Sequence, residues 1–354
     1  MLKFSNKRRA KRTIARHNFA KLMLNPDLKL NSKIFSDDVE QVPTREGFGQ
    51  GLLAAGEADE NIVGLCADLN ESTQMHLFAE KFPERFIQVG VAEQNLATVA
   101  SGMAAMGKIP FFSSYAMFSP GRNWEQIRTT LSYNDRKGVI VGSHSGISVG
   151  PDGGTHQALE DIALMRVMPN MDVISPCDAI EAKKATLALA KTKKPAYLRL
   201  LREKTPIITT EETPFNIGKA EIYWTPDVGL AQVGIIVTGG LMHRALLAAK
   251  ELEVDWIKTK VMNLSSIKPV DSEAIIALAK ECKAIVTVEE HQIAGGMGSL
   301  VAEILAANYP TAMEFVGVHD LFGQSGTSDE LVEHYGMGRE AIKEAVKKVL
   351  KRKI

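Results

Sequence analysis

The chain of 354 residues carries 42 Lys and Arg, 42 Asp and Glu and three cysteines, with 45% apolar residues. That length and composition suit about two packed domains and exclude a disulfide-stapled mini-scaffold and a disordered chain. The zero net charge hides an asymmetry: residues 1–33 hold ten basic side chains against the single acid Asp27, leaving 32 basic and 41 acidic side chains, a net −9, in residues 34–354.

Such a basic arm has the composition of an organelle transit peptide, an RNA-binding tail or a segment that docks on a partner. The apolar residues spaced along Leu22-Met-Leu-Asn-Pro-Asp-Leu-Lys-Leu favour docking over the other two, and nucleic acid is not expected as a partner. No run of eighteen apolar residues occurs, so no membrane-spanning helix is expected. Cys66, Cys177 and Cys282 are too widely spaced for a disulfide framework or a Cys-x-x-Cys metal clip, which points to a reducing compartment and a cytoplasmic location.

From residue 44 helical and strand-like segments alternate, which predicts an α/β fold built on a largely parallel sheet. A helix over 45–56 leads to a buried strand over 61–67 and the turn Asp68-Leu-Asn-Glu-Ser-Thr. A strand over 85–89 runs through Gly90 into a helix over 92–106, whose Ala97, Ala100, Ser101, Gly102, Ala104 and Ala105 permit close packing against another backbone. Strand 109–113, helix 124–132 and strand 138–143 follow, then a glycine-rich loop over 146–154, helix 158–165, strand 171–175, helix 179–189 and strand 196–200. Pro206, Pro214 and Pro226 mark an interdomain connection over 203–226. A second α/β unit has predicted strands over 234–238, 258–262, 284–289 and 315–318. Its predicted helices cover 242–253, 272–282, 298–307 and 338–352, and Thr327 and Glu330 have capping-box spacing. The division is therefore a basic arm and lead-in over 1–43, a first domain over 44–207, a connection over 208–228 and a second domain over 229–354.

Three windows carry chemistry. In Phe86-Ile-Gln-Val-Gly-Val-Ala-Glu-Gln-Asn a strand delivers Glu93 to the start of the tightly packed helix, where a carboxylate either complements the helix dipole or does chemistry beside buried backbone. Ser113-Ser-Tyr-Ala-Met-Phe-Ser sets Tyr115 and Phe118 three residues apart, a spacing that serves a core or offers ring faces to a ligand. Ser143-His-Ser-Gly-Ile-Ser-Val-Gly-Pro-Asp-Gly-Gly-Thr-His-Gln holds His144, Asp152 and His156 among four glycines, a composition foreign to a core and suited to a polar substrate.

Together these windows resemble the pyrimidine-binding domain of the transketolase family of thiamine diphosphate enzymes, over 44–206. The remainder is similar to that family's C-terminal domain. The matching motifs are Ala67-Asp-Leu-Asn-Glu-Ser-Thr, Phe82-Pro-Glu-Arg-Phe, Gly90-Val-Ala-Glu-Gln-Asn, Gly150-Pro-Asp-Gly-Gly-Thr-His-Gln, Pro169-Asn-Met-Asp-Val-Ile-Ser-Pro and Tyr197-Leu-Arg-Leu-Leu-Arg. The resemblance implies a thiamin-diphosphate-binding fold for the first domain, and Glu93 as the acid that hydrogen-bonds the aminopyrimidine ring nitrogen and activates the cofactor. It places Tyr115 and Phe118 against the pyrimidine, with Asp68 and Leu69 lining the same cleft. A further family aromatic is replaced by Gly121, and Arg122 is expected to cover part of that gap. For the substrate, the resemblance implies that His144, Asp152 and His156 contact sugar hydroxyls, the two histidines also shuttling protons, and that Ser72 and Arg202 hold the terminal phosphate. Glu289, Glu290 and His291 match a family signature whose expected role is structural or at a subunit contact.

Members of the family also need a diphosphate-binding domain with a Gly-Asp-Gly motif, and that triplet is absent from the sequence. The resemblance therefore implies that Mg²⁺ is bound by a separate N-terminal subunit, with no metal ligand in this chain. It implies further that the working enzyme is a heterotetramer in which this chain also contacts a second copy of itself. The implied reaction moves a two-carbon ketol unit from a ketose phosphate to an aldose phosphate. A 1-deoxyxylulose-5-phosphate synthase lacks a histidine at the position of His144, and a 2-oxoacid dehydrogenase beta subunit lacks the Asp-Gly-Gly-Thr-His-Gln pattern. A non-catalytic homologue that binds a partner is the third alternative.

Overall fold

The computed structural model describes residues 23–353. Most of the basic arm thus lies outside the described residues. Strand β1 (Gln41–Pro43) leads into helix α1 (Thr44–Ala58), followed by β2 (Ile62–Cys66), α2 (His76–Lys81), β3 (Phe86–Gln88), α3 (Glu93–Ala105), β4 (Ile109–Tyr115) and β5 (Val139–Ser143). Helix α4 (Asp161–Arg166), β6 (Asp172–Ile174), α5 (Ala179–Lys191) and β7 (Ala196–Arg199) complete the parallel part of the first sheet, and β8 (Lys204–Pro206) returns to pair with β1. The second unit runs β9 (Glu221–Trp224), β10 (Val233–Val237), α6 (Met242–Val254), β11 (Thr259–Asn263), β12 (Ser266–Lys268), α7 (Ser272–Cys282), β13 (Ala284–Gln292), α8 (Met297–Asn308), β14 (Ala312–Val318), α9 (Ser328–His334) and α10 (Arg339–Leu350).

The first sheet has strand order β12-β6-β7-β5-β4-β2-β3, parallel except for β12, and the second has β14-β13-β10-β11-β9, parallel except for β9. Every residue of β2, β5 and β10 is buried, as befits strands covered by helices on both faces. Helices α1 and α5 meet at backbone distance because α1 offers glycines: a Cβ on Gly47 would lie 1.8 Å from the Ala179 carbonyl oxygen. The expected capping box is present, with the Thr327 hydroxyl accepting from the Glu330 N–H and the Glu330 carboxylate accepting from the Thr327 N–H.

Three features go beyond the sequence reading. The connection expected over 208–228 is structured. Ile208 and Thr209 donate their N–H groups to Asp178, the N-cap of α5, at 2.8 and 2.6 Å, Phe215 and Ile217 pack on the first core, and residues 221–224 form β9. Proline spacing reveals no local helix or sheet, and it is silent about these long-range partners. Second, β12 crosses from the second unit to the edge of the first sheet, pairing antiparallel with β6. A three-residue strand is too short to leave a periodic signature. Third, the described end of the N-terminal lead-in packs on its own chain. Met23, Leu28 and Ile34 are buried in the second core, and Asn25 donates its N–H to the Tyr223 carbonyl at 3.1 Å.

Candidate functional site

Successive crossovers turn in opposite directions on either side of β2 and β4, so a crevice opens at the carboxyl ends of these neighbouring strands. The residues predicted to carry function leave the sheet there: Asp68, Leu69 and Ser72 after β2, Glu93 after β3, Tyr115, Phe118 and Arg122 at and after β4, His144 after β5 and Arg202 after β7.

Glu93 opens α3 and is 2% exposed. One carboxylate oxygen accepts from the Ser114 hydroxyl at 3.2 Å and the other from Arg122 Nη1 at 2.9 Å, while the Glu93 carbonyl accepts from Asn123 Nδ2. Arg122 reaches inward to the carboxylate, its guanidinium 5.4 Å from the centre of the Phe118 ring. A buried carboxylate needs a counter-charge, and the nearest flexible cation supplies it. Gly121 itself leaves no room for an aromatic replacement, because a Cβ there would lie 1.9 Å from the Met117 carbonyl oxygen.

The rings form one cluster. Tyr115 and Phe118 lie 6.3 Å apart with planes 18° from parallel, and Tyr115 stacks on His144 at 3.8 Å. The His156 ring meets Phe118 edge-on at 5.4 Å. His144 adopts a positive φ of 56° and is 2% exposed, with Nδ1 against the Ser143 hydroxyl at 2.8 Å. Burial, reinforced by the charges of Arg45 and Arg202, pulls its pKa down to about 3. His144 is therefore a neutral imidazole near neutral pH.

Beyond the rings lies a cationic corner. Arg202 Nη1 donates to the Val149 carbonyl at 2.7 Å and stands 3.8 Å from Asp152 Oδ1. Arg45, absent from the sequence expectations, donates from Nη1 to the Ser72 carbonyl at 2.6 Å, and its buried Nε has no partner among the described residues. Burial lowers its pKa, and so does the neighbouring charge of Arg202. The Arg45 guanidinium on the Ser72 carbonyl, with Arg202 near enough for its charge to act on Arg45, suits an anionic group. No local pattern marks Arg45, the second residue of α1; the Thr44 hydroxyl, which accepts from the Leu201 N–H at 2.7 Å, ties that helix start to the segment after β7 that bears Arg202.

Asp68 and Leu69 remain at the β2 edge of the crevice, Asp68 donating its N–H to Gln88 Oε1 at 2.7 Å and Leu69 packing on the first core. Arg199 is buried in an ion pair with Asp161 at 2.7 Å. Among the described residues no group of three His, Cys, Asp or Glu side chains gathers as a metal set. Among the described residues no helix is long and apolar enough to cross a membrane.

Comparison with known proteins matches residues 40–207 to the transketolase pyrimidine-binding domain and residues 223–342 to the transketolase C-terminal domain. The chain is 37% identical to the 6-deoxy-6-sulfo-D-fructose transketolase subunit SqwH of Clostridium sp. (strain MSTE9), covering 90% of this chain and 98% of that protein. It is 33% identical to Homo sapiens transketolase over 87% of this chain, which amounts to 49% of the human protein. Among solved structures, a split gene transketolase described as an inactive beta4 tetramer superposes with a TM-score of 0.82 at 40% identity, over 88% of this chain and 100% of that one. Crevice, motifs and relatives agree: this chain belongs to the transketolase family and carries its pyrimidine-binding and C-terminal domains.

Proposed function

We propose that the chain is the C-terminal subunit of a split transketolase, moving a two-carbon ketol unit from a ketose phosphate to an aldose phosphate with thiamine diphosphate, in the cytoplasm. The observation that carries this reading is the buried Glu93 carboxylate, paired with the Arg122 that lies over the Phe118 ring, together with the Arg45 and Arg202 charges acting on His144. The residues present fit the pyrimidine end of the cofactor. Glu93 is a dry proton-sharing group with a partner, Arg122, that is half exposed and free to be exchanged, and Phe118 and Tyr115 supply apolar ring faces.

When bound, thiamine diphosphate supplies a thiazolium that stabilises negative charge at the carbon undergoing transfer. Glu93 would hold a proton at the pyrimidine ring nitrogen once Arg122 has moved aside, and Tyr115 and Phe118 would exclude water from that ring. Asp68 and Leu69 would line the cleft. His144 and His156 would hydrogen-bond the sugar hydroxyls, His156 passing protons between them, and Asp152 would accept from a further hydroxyl. Arg45, Arg202 and Ser72 would hold the terminal anion, and the sulfonated substrate in the name of the clostridial relative is consistent with selection for tetrahedral oxyanions at that corner. A separate subunit would bind the diphosphate and Mg²⁺. The half-length match to human transketolase and the inactivity of the beta4 tetramer support this dependence.

The test mixes the chain with its diphosphate-binding subunit, thiamine diphosphate and Mg²⁺ and follows transfer from xylulose 5-phosphate to ribose 5-phosphate. Transfer should require both chains, and Glu93→Ala should lower kcat at least ~100-fold, on the scale of lost acid–base catalysis. Equal rates for wild type and Glu93→Ala would refute the assignment.

A further inference from the structure

The glycine-rich loop that bears the substrate groups does not support itself. It leaves β5 at His144 and passes Gly146, Gly150 and Gly153, all at positive φ, before reaching His156. Its outer side rests on the second domain. Gly153 and Gly154 lie against Ser325 and Gly323, close enough that a Cβ would approach Ser325 Oγ at 2.7 Å and the Gly323 carbonyl oxygen at 2.6 Å. Gln157 Nε2 donates to the Gln324 carbonyl at 3.0 Å and back to the Ile147 carbonyl at 3.1 Å.

Its anchor is Glu290, near the end of β13. The side chain is 3% exposed, and its Oε1 accepts the Ser148 N–H at 2.6 Å. The loop is moulded around that carboxylate: a Cβ on Gly146 would lie 2.2 Å from the same oxygen. The Glu290 main chain is held in turn, its carbonyl accepting from Arg199 Nη2 at 2.8 Å, and Arg199 is fixed by Asp161 and also donates to the Ala158 carbonyl just beyond the loop. A charge-assisted hydrogen bond in a dry setting is strong and directional, so this contact sets where the backbone between His144 and Asp152 can lie.

We infer that Glu290, a residue of the second domain, is a positioning residue for the substrate loop, fixing His144, Asp152 and His156 through the Ser148 amide. This deepens the proposed function and gives the C-terminal domain a task in the reaction: it is the mould of the substrate subsite. Glu290 touches none of the reacting groups. Its loss should therefore spoil substrate alignment while leaving the pyrimidine pocket around Glu93 intact, and misplacement by about 1 Å is enough to cost up to about 100-fold in rate.

The experiment uses the assembled two-subunit complex with Glu290→Gln and Glu290→Asp. Glutamine keeps an oxygen at the same reach; aspartate keeps the charge and withdraws it by one methylene. Glu290→Gln should stay within about threefold of wild type in kcat and in KM for the ketose phosphate donor. Glu290→Asp should raise that KM and lower kcat, each about tenfold, with unchanged thiamine diphosphate affinity by calorimetry. Hydrogen exchange on the same proteins should show lost protection at the Ser148 amide in Glu290→Asp and retained protection in Glu290→Gln. Wild-type kinetics and Ser148 protection in Glu290→Asp would overturn the inference, as would cofactor affinity falling in parallel with donor affinity. If the wild-type complex transfers nothing from ketose phosphates, the proposed function fails, while the exchange comparison still decides the loop contact.

Discussion

Glu181 sits where the two units meet, and its pKa makes the junction pH-dependent. Its carboxylate is 4% exposed, accepting the Cys177 N–H at 2.6 Å and Asn263 Nδ2 at 2.8 Å, the latter from the end of β11. Burial, with the nearby Asp178 charge adding to it, raises its pKa from 4.5 to about 7. Between those values the native chain holds a proton that the unfolded chain has released, so unfolding free energy falls as pH rises through the window. At about 1.4 kcal/mol for each pH unit, the span corresponds to about 3 kcal/mol of stability present below pH 4.5 and lost above pH 7. Glu181→Gln removes the titration. The difference in stability between wild type and Glu181→Gln should therefore shift by about 3 kcal/mol from pH 5 to pH 8, in favour of the variant at the alkaline end, or about 1 M in urea midpoint for a slope near 3 kcal/mol/M. Urea unfolding of both proteins at four pH values measures it directly, and the subtraction cancels the titrating groups that do not interact with Glu181. Parallel stability curves would refute the argument.

Two further outcomes follow from the site and its supports. His144 should show no imidazole titration between pH 5 and 8 in a pH series of NMR spectra, because burial and the two arginines hold it neutral. Its depressed pKa also withdraws stability as pH falls below the unfolded value of about 6.5, and a midpoint near 6.5 in the native state would contradict both statements. Asp161→Ala leaves Arg199 buried without its carboxylate, so denaturant unfolding should register a loss of about 3–5 kcal/mol, and a loss under 1 kcal/mol would contradict the ion pair's role.

Much of this architecture is visible in linear order because it is local. The helix over 272–282 appears with the bounds expected from sequence, and the strand–helix junction at Glu93 is written in a short strand, a glycine and a run of small residues. The capping box at Thr327 is a four-residue signal and needs no tertiary context. Arg199 and Arg202 show the opposite case. Three residues apart on one strand end, they look alike in sequence, yet one is locked against Asp161 and the other faces the glycine-rich loop. Arg199 is the last residue of β7 and Arg202 lies beyond it, so only the partners brought by other segments give each a meaning.

What the sequence determined alone was the alternation of elements, the positions of the family motifs and the asymmetry of charge, since periodicity and residue chemistry act over a few neighbours. Tertiary structure decided the rest: that Arg122 neutralises Glu93, that Arg45 joins Arg202, and that Glu290 of the second domain holds a loop of the first, 142 residues away in sequence. The physical reason is common to all three. A buried charge is stabilised by whichever partner the packed chain delivers to it, and that choice depends on distances in space that no local pattern encodes.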